Sequence, residues 1–240
     1  MNTAIDAPAR LIVALDVPTV AEARTIVAEL DPLVSFYKIG LTLQWDPDLS
    51  DYIQELKAGG SRIFIDFKYS DIGESMRGGV AGAARAGASF LTIQGSGGVN
   101  RASLEAAVAG RGDSAVKLLM VTFLTSLSAA DLQGLGGSVE DVVLERAAAA
   151  REAGIDGVIA SGREARAIRD SIGPDFLIVT PGIRPQGAAS DDHKRAVTPG
   201  EAIAAGADYL VVGRPIIGAS DRRAAAEAIA AEMQTAFDAR

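Results

Sequence analysis

Two carboxylates and an ammonium group lie close together in residues 66–72, which read Asp-Phe-Lys-Tyr-Ser-Asp-Ile. The preceding residues 63–65, Ile-Phe-Ile, are typical of a buried strand. Because side chains two apart on a strand share a face, we expect Asp66 and Lys68 to point the same way, with Asp71 just beyond, where the chain turns. Charges this dense are costly to bury unless they pair. The segment therefore indicates an ion-pair network or a site that performs chemistry.

A second lysine, Lys38, ends an earlier apolar segment. If Lys38, Asp66, Lys68 and Asp71 converge, their charges alternate in sign, and such a network keeps each lysine protonated. A protonated lysine held in this way is suited to act as a general acid. The alternative is a purely structural salt-bridge network, although buried ion pairs are a poor source of stability.

The elements that position these residues alternate along the whole chain. Apolar segments of strand length are separated by alanine-rich helical segments, including residues 20–30, 76–86, 139–153 and 164–172. The predicted strands are residues 11–15, 34–39, 62–67, 90–94, 117–122, 157–160, 176–180 and 209–212. Eight such units in one α/β chain predict a (β/α)₈ TIM barrel over residues 1–240 as a single domain, since no linker interrupts them. An open, doubly wound sheet is the structural alternative.

Function in such a barrel lies at the carboxyl ends of the strands. Arg184 follows the seventh strand, and Gly213 and Arg214 follow the eighth. The loops after these two strands often bind phosphate, with glycine amides and arginine forks as donors, so we expect a phosphate site there rather than two solvated arginines. Asp16 follows the first strand and has two open interpretations, a helix cap before Pro18 or a contact to a substrate hydroxyl.

Composition excludes several classes of site. The chain has no cysteine, so disulfides and thiolate metal sites are impossible, and a single histidine, His193, argues against a histidine-based metal centre. A net charge of −8 argues against nucleic-acid or anionic-membrane binding. No apolar run approaches the roughly 20 residues that span a bilayer, and the first residues lack the features of a signal peptide, so we expect a cytoplasmic protein.

The chain resembles the orotidine 5′-phosphate decarboxylase family, particularly its bacterial branch. The resemblance rests on motifs that occur in the family's order along almost the whole chain. These are Leu11-Ile12-Val13-Ala14-Leu15-Asp16, Phe36-Tyr37-Lys38-Ile39-Gly40, residues 66–72, Val121-Thr122-Phe123-Leu124-Thr125-Ser126, Thr180-Pro181-Gly182-Ile183-Arg184-Pro185-Gln186-Gly187 and Val212-Gly213-Arg214-Pro215-Ile216. The Asp-x-Lys-x-x-Asp motif is shared with sister enzymes that act on sugar phosphates, whereas the Pro-Gly-Ile-Arg and Gly-Arg-Pro loops are more specific. The metal-dependent sisters carry a glutamate on strand 2, where this chain has Lys38.

The resemblance implies decarboxylation of orotidine 5′-phosphate to UMP without a cofactor or metal, by a homodimer whose sites are shared across the interface. It implies that Lys68 protonates C6 and that Asp66 lies beside the departing carboxylate. The remaining residues would bind substrate. Asp16 and Lys38 would contact the ribose hydroxyls, Thr125 and Pro181 the pyrimidine, and Arg184, Gly213 and Arg214 the phosphate, while Asp71, Ile72 and Ser75 would reach the neighbouring subunit's site.

Three segments depart from the family pattern. Gly73-Glu74-Ser75 follows Asp71-Ile72 in place of Pro-Asn-Thr, and strand 4 ends in Gln94 instead of histidine. His193 stands where a glutamine normally touches the phosphate, so it is either a phosphate ligand or a solvent-facing loop residue. Two other functions stay open: a divergent relative that acts on another phosphorylated substrate, and a catalytically idle barrel that only binds nucleotides.

Overall fold

The computed structural model describes residues 6–124, 137–185 and 196–240. Within them, eight parallel strands form a closed barrel in which each strand pairs with the next along the chain and the last pairs with the first. The strands are β1 (Leu11–Ala14), β2 (Phe36–Ile39), β3 (Arg62–Tyr69), β4 (Phe90–Gln94), β5 (Lys117–Val121), β6 (Gly157–Ile159), β7 (Leu177–Thr180) and β8 (Tyr209–Val212). The helices are α1 (Val20–Leu30), α2 (Leu49–Ala58), α3 (Gly73–Ala86), α4 (Arg101–Arg111), α5 (Val139–Glu152), α6 (Gly162–Ile172), α7 (Pro199–Ala204), α8 (Arg214–Ile217) and α9 (Arg222–Asp238).

Both faces of the strands are apolar because each strand separates two hydrophobic layers. In β1, Ile12 and Ala14 belong to the cluster inside the barrel, whereas Leu11 and Val13 belong to the larger cluster between the strands and the helices. This alternation follows from the period of two in an extended strand. It explains why the strands read as continuous apolar runs, as is typical of parallel sheets covered by helices.

Aromatic rings fill the amino-terminal end of the barrel. Phe90 packs edge-to-face against Phe36 and Tyr209, with ring centroids 4.9 and 5.1 Å apart. The guanidinium of Arg62 lies 4.2 Å from the Phe36 ring centroid, a cation–π contact. Because the rings block this end, the open space for a ligand lies at the opposite end, where the strands finish.

Side-chain caps explain where several helices begin. The Thr19 hydroxyl accepts a hydrogen bond from the Glu22 amide at the start of α1. Ser138 and Asp141 form a capping box at the start of α5, in which each side chain accepts from the other residue's amide. These caps satisfy amide groups that have no partner inside a helix, so they fix the turns that lead from the strands into the helices.

The predicted barrel is confirmed, and the open sheet is excluded by its closure. Two strands, Phe90–Gln94 and Tyr209–Val212, have the predicted bounds, and the other strands differ by one or two residues at one end. The difference that matters for the site is in β3, which we predicted to end at residue 67. It continues to Tyr69 because the chain stays paired with β4 beyond a shift in register.

Candidate active site

A cavity of about 590 Å³ opens among the carboxyl ends of the strands. This volume lies within the usual range for sites that hold small organic molecules. Eight of the residues that the sequence singled out line it: Asp16, Lys38, Asp66, Lys68, Pro181, Arg184, Gly213 and Arg214. The structure therefore brings the predicted acidic and basic residues into one space.

Lys38 is the central cation of this cavity. Its Nζ lies 2.8 Å from Oδ1 of Asp16 and 3.4 Å from Oδ2 of Asp66. The lysine is buried, whereas the Asp16 side chain remains nearly half exposed. Two carboxylates beside one ammonium offset the cost of burying its charge, so the Lys38 side chain is held in one place.

Gly40 makes room for this pair. A Cβ atom at that position would lie 2.6 Å from the Asp16 carboxylate oxygen and 2.9 Å from the Lys38 Nζ, both closer than van der Waals contact allows. Its backbone is extended, with φ of −103°, so the requirement is steric rather than conformational. The sequence placed Gly40 in a family motif, but it did not predict that the residue leaves space for the pair of Asp16 and Lys38.

Asp16 does not cap a helix. The N-terminal cap of α1 is Thr19, three residues further along the chain. The Asp16 carboxylate instead accepts a hydrogen bond from Lys38. The helix-cap interpretation is therefore wrong, and Asp16 is available at the wall of the cavity.

Asp66 and Lys68 are adjacent, as predicted, but not through a regular strand. Lys68 Nζ lies 3.0 Å from Asp66 Oδ1. Lys68 has φ of 49°, in the left-handed region, and the pairing of β3 with β4 shifts in register between Ile65 and Tyr69. The expectation of a simple alternation was wrong at Lys68, because the strand is irregular there. The two side chains meet on the same side nevertheless.

Thr92 fixes this irregular segment. Its hydroxyl donates to Asp66 Oδ1 at 3.0 Å and accepts from the Lys68 backbone N–H at 2.9 Å. Thr92 is completely buried in β4. Sequence reasoning missed it, although a single hydroxyl within the apolar run Phe90–Gln94 was the available signal.

Tyr69 follows Lys68 at the end of β3. Burial raises the pKa of its phenol above the usual value, so the hydroxyl keeps its proton at neutral pH. Tyr69 therefore adds no negative charge beside Lys68. Among the residues that the structure describes, the acidic partner of Lys68 is Asp66.

Asp71, Ile72 and Ser75 lie outside this cluster and are exposed. The Asp71 carboxylate accepts from the Ile72 amide at 2.6 Å, and its backbone carbonyl accepts from the Ser103 hydroxyl. No ion pair joins Asp71 to Lys68 in the described part of the chain. Within one subunit, the row of alternating charges thus comprises Lys38, Asp66 and Lys68, and the part of Asp71 in it stays a prediction.

Two surface grooves begin at this turn. One is lined by Gln44, Lys68, Asp71 and Ser75, among others, so Lys68 borders both this groove and the cavity. The second is lined in part by Asp71, Ile72 and Val99. The neighbouring surface exposes large apolar side chains: Leu41 is 56% exposed, Trp45 88% and Ile72 73%.

The basic side of the cavity is formed by the loops after β7 and β8. The Arg184 amide donates to the Val197 carbonyl at 2.9 Å, and its guanidinium donates to the Ile183 carbonyl at 2.8 Å. Arg214 is exposed and is the first residue of α8, after Gly213. Both arginines line the cavity, and the strand before Arg214, β8, pairs with β1, the strand that Asp16 follows.

Two predicted substrate contacts, Thr125 and His193, lie outside the described residues. Gln94, the departure at the end of β4, is described. Its Oε1 accepts from the amide and the hydroxyl of Ser96 at 3.3 and 2.9 Å. Gln94 thus holds the loop after β4 and does not line the cavity.

Membrane-spanning helices and clusters of metal-binding side chains are both absent from residues 6–124, 137–185 and 196–240. None of the helices there is both long enough and apolar enough to cross a membrane. No three acidic or histidine side chains in these ranges are grouped closely enough to hold a metal ion.

Comparisons with known proteins agree with this geometry. A family model described as the orotidine 5′-phosphate decarboxylase / HUMPS family matches residues 9–229. The chain is 50% identical over 229 residues to a protein of Afipia carboxidovorans named orotidine 5′-phosphate decarboxylase, covering 95% of both chains. It is 48% identical to the protein of that name from Nitrobacter winogradskyi, covering 95% of this chain and 94% of the relative. The crystal structure of orotidine 5′-phosphate decarboxylase from Lactobacillus acidophilus has a TM-score of 0.78 at 37% identity, covering 94% of this chain and 99% of that one.

Proposed function

The chain belongs to the orotidine 5′-phosphate decarboxylase / HUMPS family, and we propose that Lys68 is the proton donor in the reaction that it catalyses, the decarboxylation of orotidine 5′-phosphate to UMP in pyrimidine synthesis. One observation carries this proposal: the ion-paired row of Lys38, Asp66 and Lys68 in the cavity. It places two ammonium groups beside the Asp66 carboxylate in the same cavity as the two arginines.

The chemistry requires such a charge. When the bond between C6 and the carboxylate breaks, CO₂ leaves and the electron pair stays on C6 as a vinyl carbanion. Positive charge that is already in place stabilises this carbanion better than solvent that must reorganise. The Lys68 ammonium supplies the charge and then transfers one proton to C6, which leaves a neutral amine and UMP. Asp66 lies beside the departing carboxylate and holds the lysine.

The remaining cavity residues bind the substrate. Arg184, Arg214 and the Gly213 amide bind the phosphate, since planar guanidinium groups and amides match phosphate oxygens. Asp16 and Lys38 contact the ribose hydroxyls. Phosphate binding supplies energy that can be used to desolvate the reacting carboxylate.

The pyrimidine ring occupies the space beside Pro181. Thr125 as a ring contact and His193 as a phosphate ligand remain predictions. In each case the motif alone supports the assignment.

Lys38 favours a reaction without a metal. Its Nζ lies within 3.4 Å of the Asp16 and Asp66 carboxylates. A divalent cation would need those oxygens and would be repelled by the ammonium. Metal-dependent relatives carry a metal-binding glutamate on the second strand. In this chain, the ammonium of Lys38 stands at that position.

A second copy of the chain completes the site. The supporting observations are the exposed position of Asp71, Ile72 and Ser75 and the groove that connects Asp71 with Lys68. Exposed apolar side chains next to this groove, Trp45 and Ile72, match a surface that is covered by another protein. In the proposed homodimer, Asp71 of one subunit approaches Lys68 of the other and restores the alternation of charges.

The test is turnover of orotidine 5′-phosphate by purified protein, followed by the change in ultraviolet absorbance, with and without EDTA. We expect equal rates in both samples, with UMP and CO₂ as products. Activity that EDTA abolishes would contradict the metal-free mechanism.

The two alternative functions give different results in the same assay. A divergent relative leaves orotidine 5′-phosphate unchanged and turns over another phosphorylated compound. An idle barrel binds UMP, as measured by calorimetry, and turns over neither.

A further inference from the structure

Thr92 makes two hydrogen bonds that connect the catalytic strand to its neighbour. Its hydroxyl donates to Oδ1 of Asp66 at 3.0 Å and accepts from the Lys68 amide at 2.9 Å. The residue is completely buried in β4, on the wall against β3. A hydroxyl is the smallest side-chain group that can donate and accept at once.

The hydrogen bond to Lys68 lies where the backbone is strained. A φ of 49° is unfavourable for a residue with a Cβ atom, and Lys68 is the one such residue other than glycine in the described ranges. The register between β3 and β4 shifts there, so the regular ladder does not hold the Lys68 amide. Thr92 replaces the missing ladder hydrogen bond with its side chain.

The hydrogen bond to Asp66 orients the carboxylate. Oδ1 accepts hydrogen bonds from the Thr92 hydroxyl and from the Lys68 ammonium, while Oδ2 lies 3.4 Å from Lys38 Nζ. With both oxygens engaged, the carboxylate cannot rotate without breaking one of these contacts. The Lys68 side chain is therefore held at its backbone end by Thr92 and at its ammonium end by Asp66.

We propose that Thr92 is a positioning residue for the decarboxylation, which holds the Lys68 backbone in its left-handed conformation and the Asp66 carboxylate in the orientation that places the Lys68 ammonium. This inference rests on the proposed role of Lys68 as proton donor. Threonine suits the task because its branched Cβ restricts the rotation that would move the hydroxyl.

The experiment compares Thr92→Ala and Thr92→Val with Thr92→Ser. Loss of the hydroxyl should lower kcat by about tenfold or more while KM for orotidine 5′-phosphate changes by less than about threefold, because the group acts on the proton donor and not on the phosphate or ribose. Thr92→Ser should recover kcat to within about threefold of the unmodified protein. Thr92→Ala adds no methyl group beside Asp66, so it remains informative if Thr92→Val fails to fold.

The matched control is Thr122→Val. Thr122 is equally buried, and its hydroxyl donates to the Ile159 carbonyl rather than to either catalytic residue. It measures the general cost of deleting a buried threonine hydroxyl from the barrel. An equal loss of kcat in Thr122→Val and Thr92→Ala, or an unchanged kcat in Thr92→Ala, would overturn the inference.

A crystal structure of the Thr92→Ala protein separates this inference from the proposed function. We expect Lys68 to leave the left-handed region, or its Nζ to move out of hydrogen-bond distance from Asp66. If the unmodified protein does not turn over orotidine 5′-phosphate, the proposed function fails, whatever Thr92 does. If turnover is normal and the Thr92→Ala structure keeps Lys68 in place, the inference fails alone.

Discussion

The two acidic residues of the Asp-x-Lys-x-x-Asp motif are in opposite situations. Asp66 lies within β3, mostly buried, with contacts to Lys38, Lys68 and Thr92. Asp71 lies only five residues further on, exposed, and its carboxylate accepts from the amide of the next residue. One part of the charge network thus forms within the chain, whereas Asp71 joins it only in the proposed homodimer.

This difference shows what each region contributes. The cluster of Lys38, Asp66 and Lys68 is held by β2, by β3 and, through Thr92, by β4, so it forms without substrate. The exposed turn of Asp71, Ile72 and Ser75 carries polar residues of the types found in catalytic sites. Its exposed apolar side chain, Ile72, is typical of a surface that another protein covers. We therefore expect changes in the cluster to alter chemistry at every protein concentration, and changes in the turn to depend on association.

The largest effect is expected for Lys68→Ala. If Lys68 is the proton donor, as proposed, its removal should abolish nearly all turnover while UMP still binds through Arg184 and Arg214. Steady-state kinetics and calorimetry measure the two quantities. A kcat above about a tenth of the original value, a change of only about 1.4 kcal/mol, would contradict the assignment. Lys117→Ala is the control, since Lys117 forms its ion pair with Asp156 at the start of β5 and should keep full activity.

A smaller loss of activity is expected for Gly40→Ala, which tests the cluster at Lys38 rather than at Lys68. The new methyl group would push apart Asp16 and Lys38. Both kcat and KM should worsen, with kcat/KM lower by about tenfold or more, since Lys38 pairs with Asp66 and is proposed to contact the ribose. Gly78→Ala is the matched control, because a Cβ atom at Gly78 meets nothing within 4 Å. Equal kinetics for the two variants would show that the pair tolerates displacement.

Ile72→Asp tests the exposed turn. If Ile72 is buried in the proposed homodimer, a charge there should raise the dimer dissociation constant by about tenfold or more, and activity should become dependent on protein concentration. Ile72→Val keeps an apolar contact and should behave nearly as the unmodified chain does. Sedimentation velocity measures the association. A monomeric unmodified chain with full activity would remove the basis for a shared site.

The smallest effect is expected at His193, a prediction from sequence alone. If its imidazole binds the phosphate, the dianion favours the protonated form, and the charge-assisted hydrogen bond weakens as the proton is lost above about pH 6.5. KM should then rise between about pH 6.5 and 8 in the unmodified protein but not in His193→Gln. Parallel KM profiles for the two proteins would assign His193 to the solvent.

The sequence predicted the barrel and the buried cluster because both follow from short-range rules. The apolar runs define the strands, and the carboxyl ends of neighbouring parallel strands bring Lys38 and Asp66 together. The contact between Asp66 and Lys68 also followed from their spacing, even though the backbone at Lys68 is not a regular strand.

The sequence could not predict Thr92 or the direction of Asp71. Thr92 contacts Asp66 only because β3 and β4 pair in one particular register with a shift beyond Ile65, and register depends on the assembled barrel. The direction of Asp71 depends on the turn that leads into α3, where no strand or helix periodicity applies. Spacing alone therefore left open whether Asp71 joins Lys68 within one subunit, and only the family resemblance implied that it reaches a neighbouring one.

In the proposed homodimer, Asp71 of each subunit serves the site of the other, and subunit exchange tests this directly. Lys68→Ala and Asp71→Ala proteins, each inactive alone, are mixed in equal amounts under conditions that exchange subunits, with exchange confirmed by native mass spectrometry. Random exchange gives heterodimers with one intact and one doubly altered site, so about a quarter of the original activity should return. No recovery after complete exchange would place Asp71 in the site of its own subunit and contradict the account.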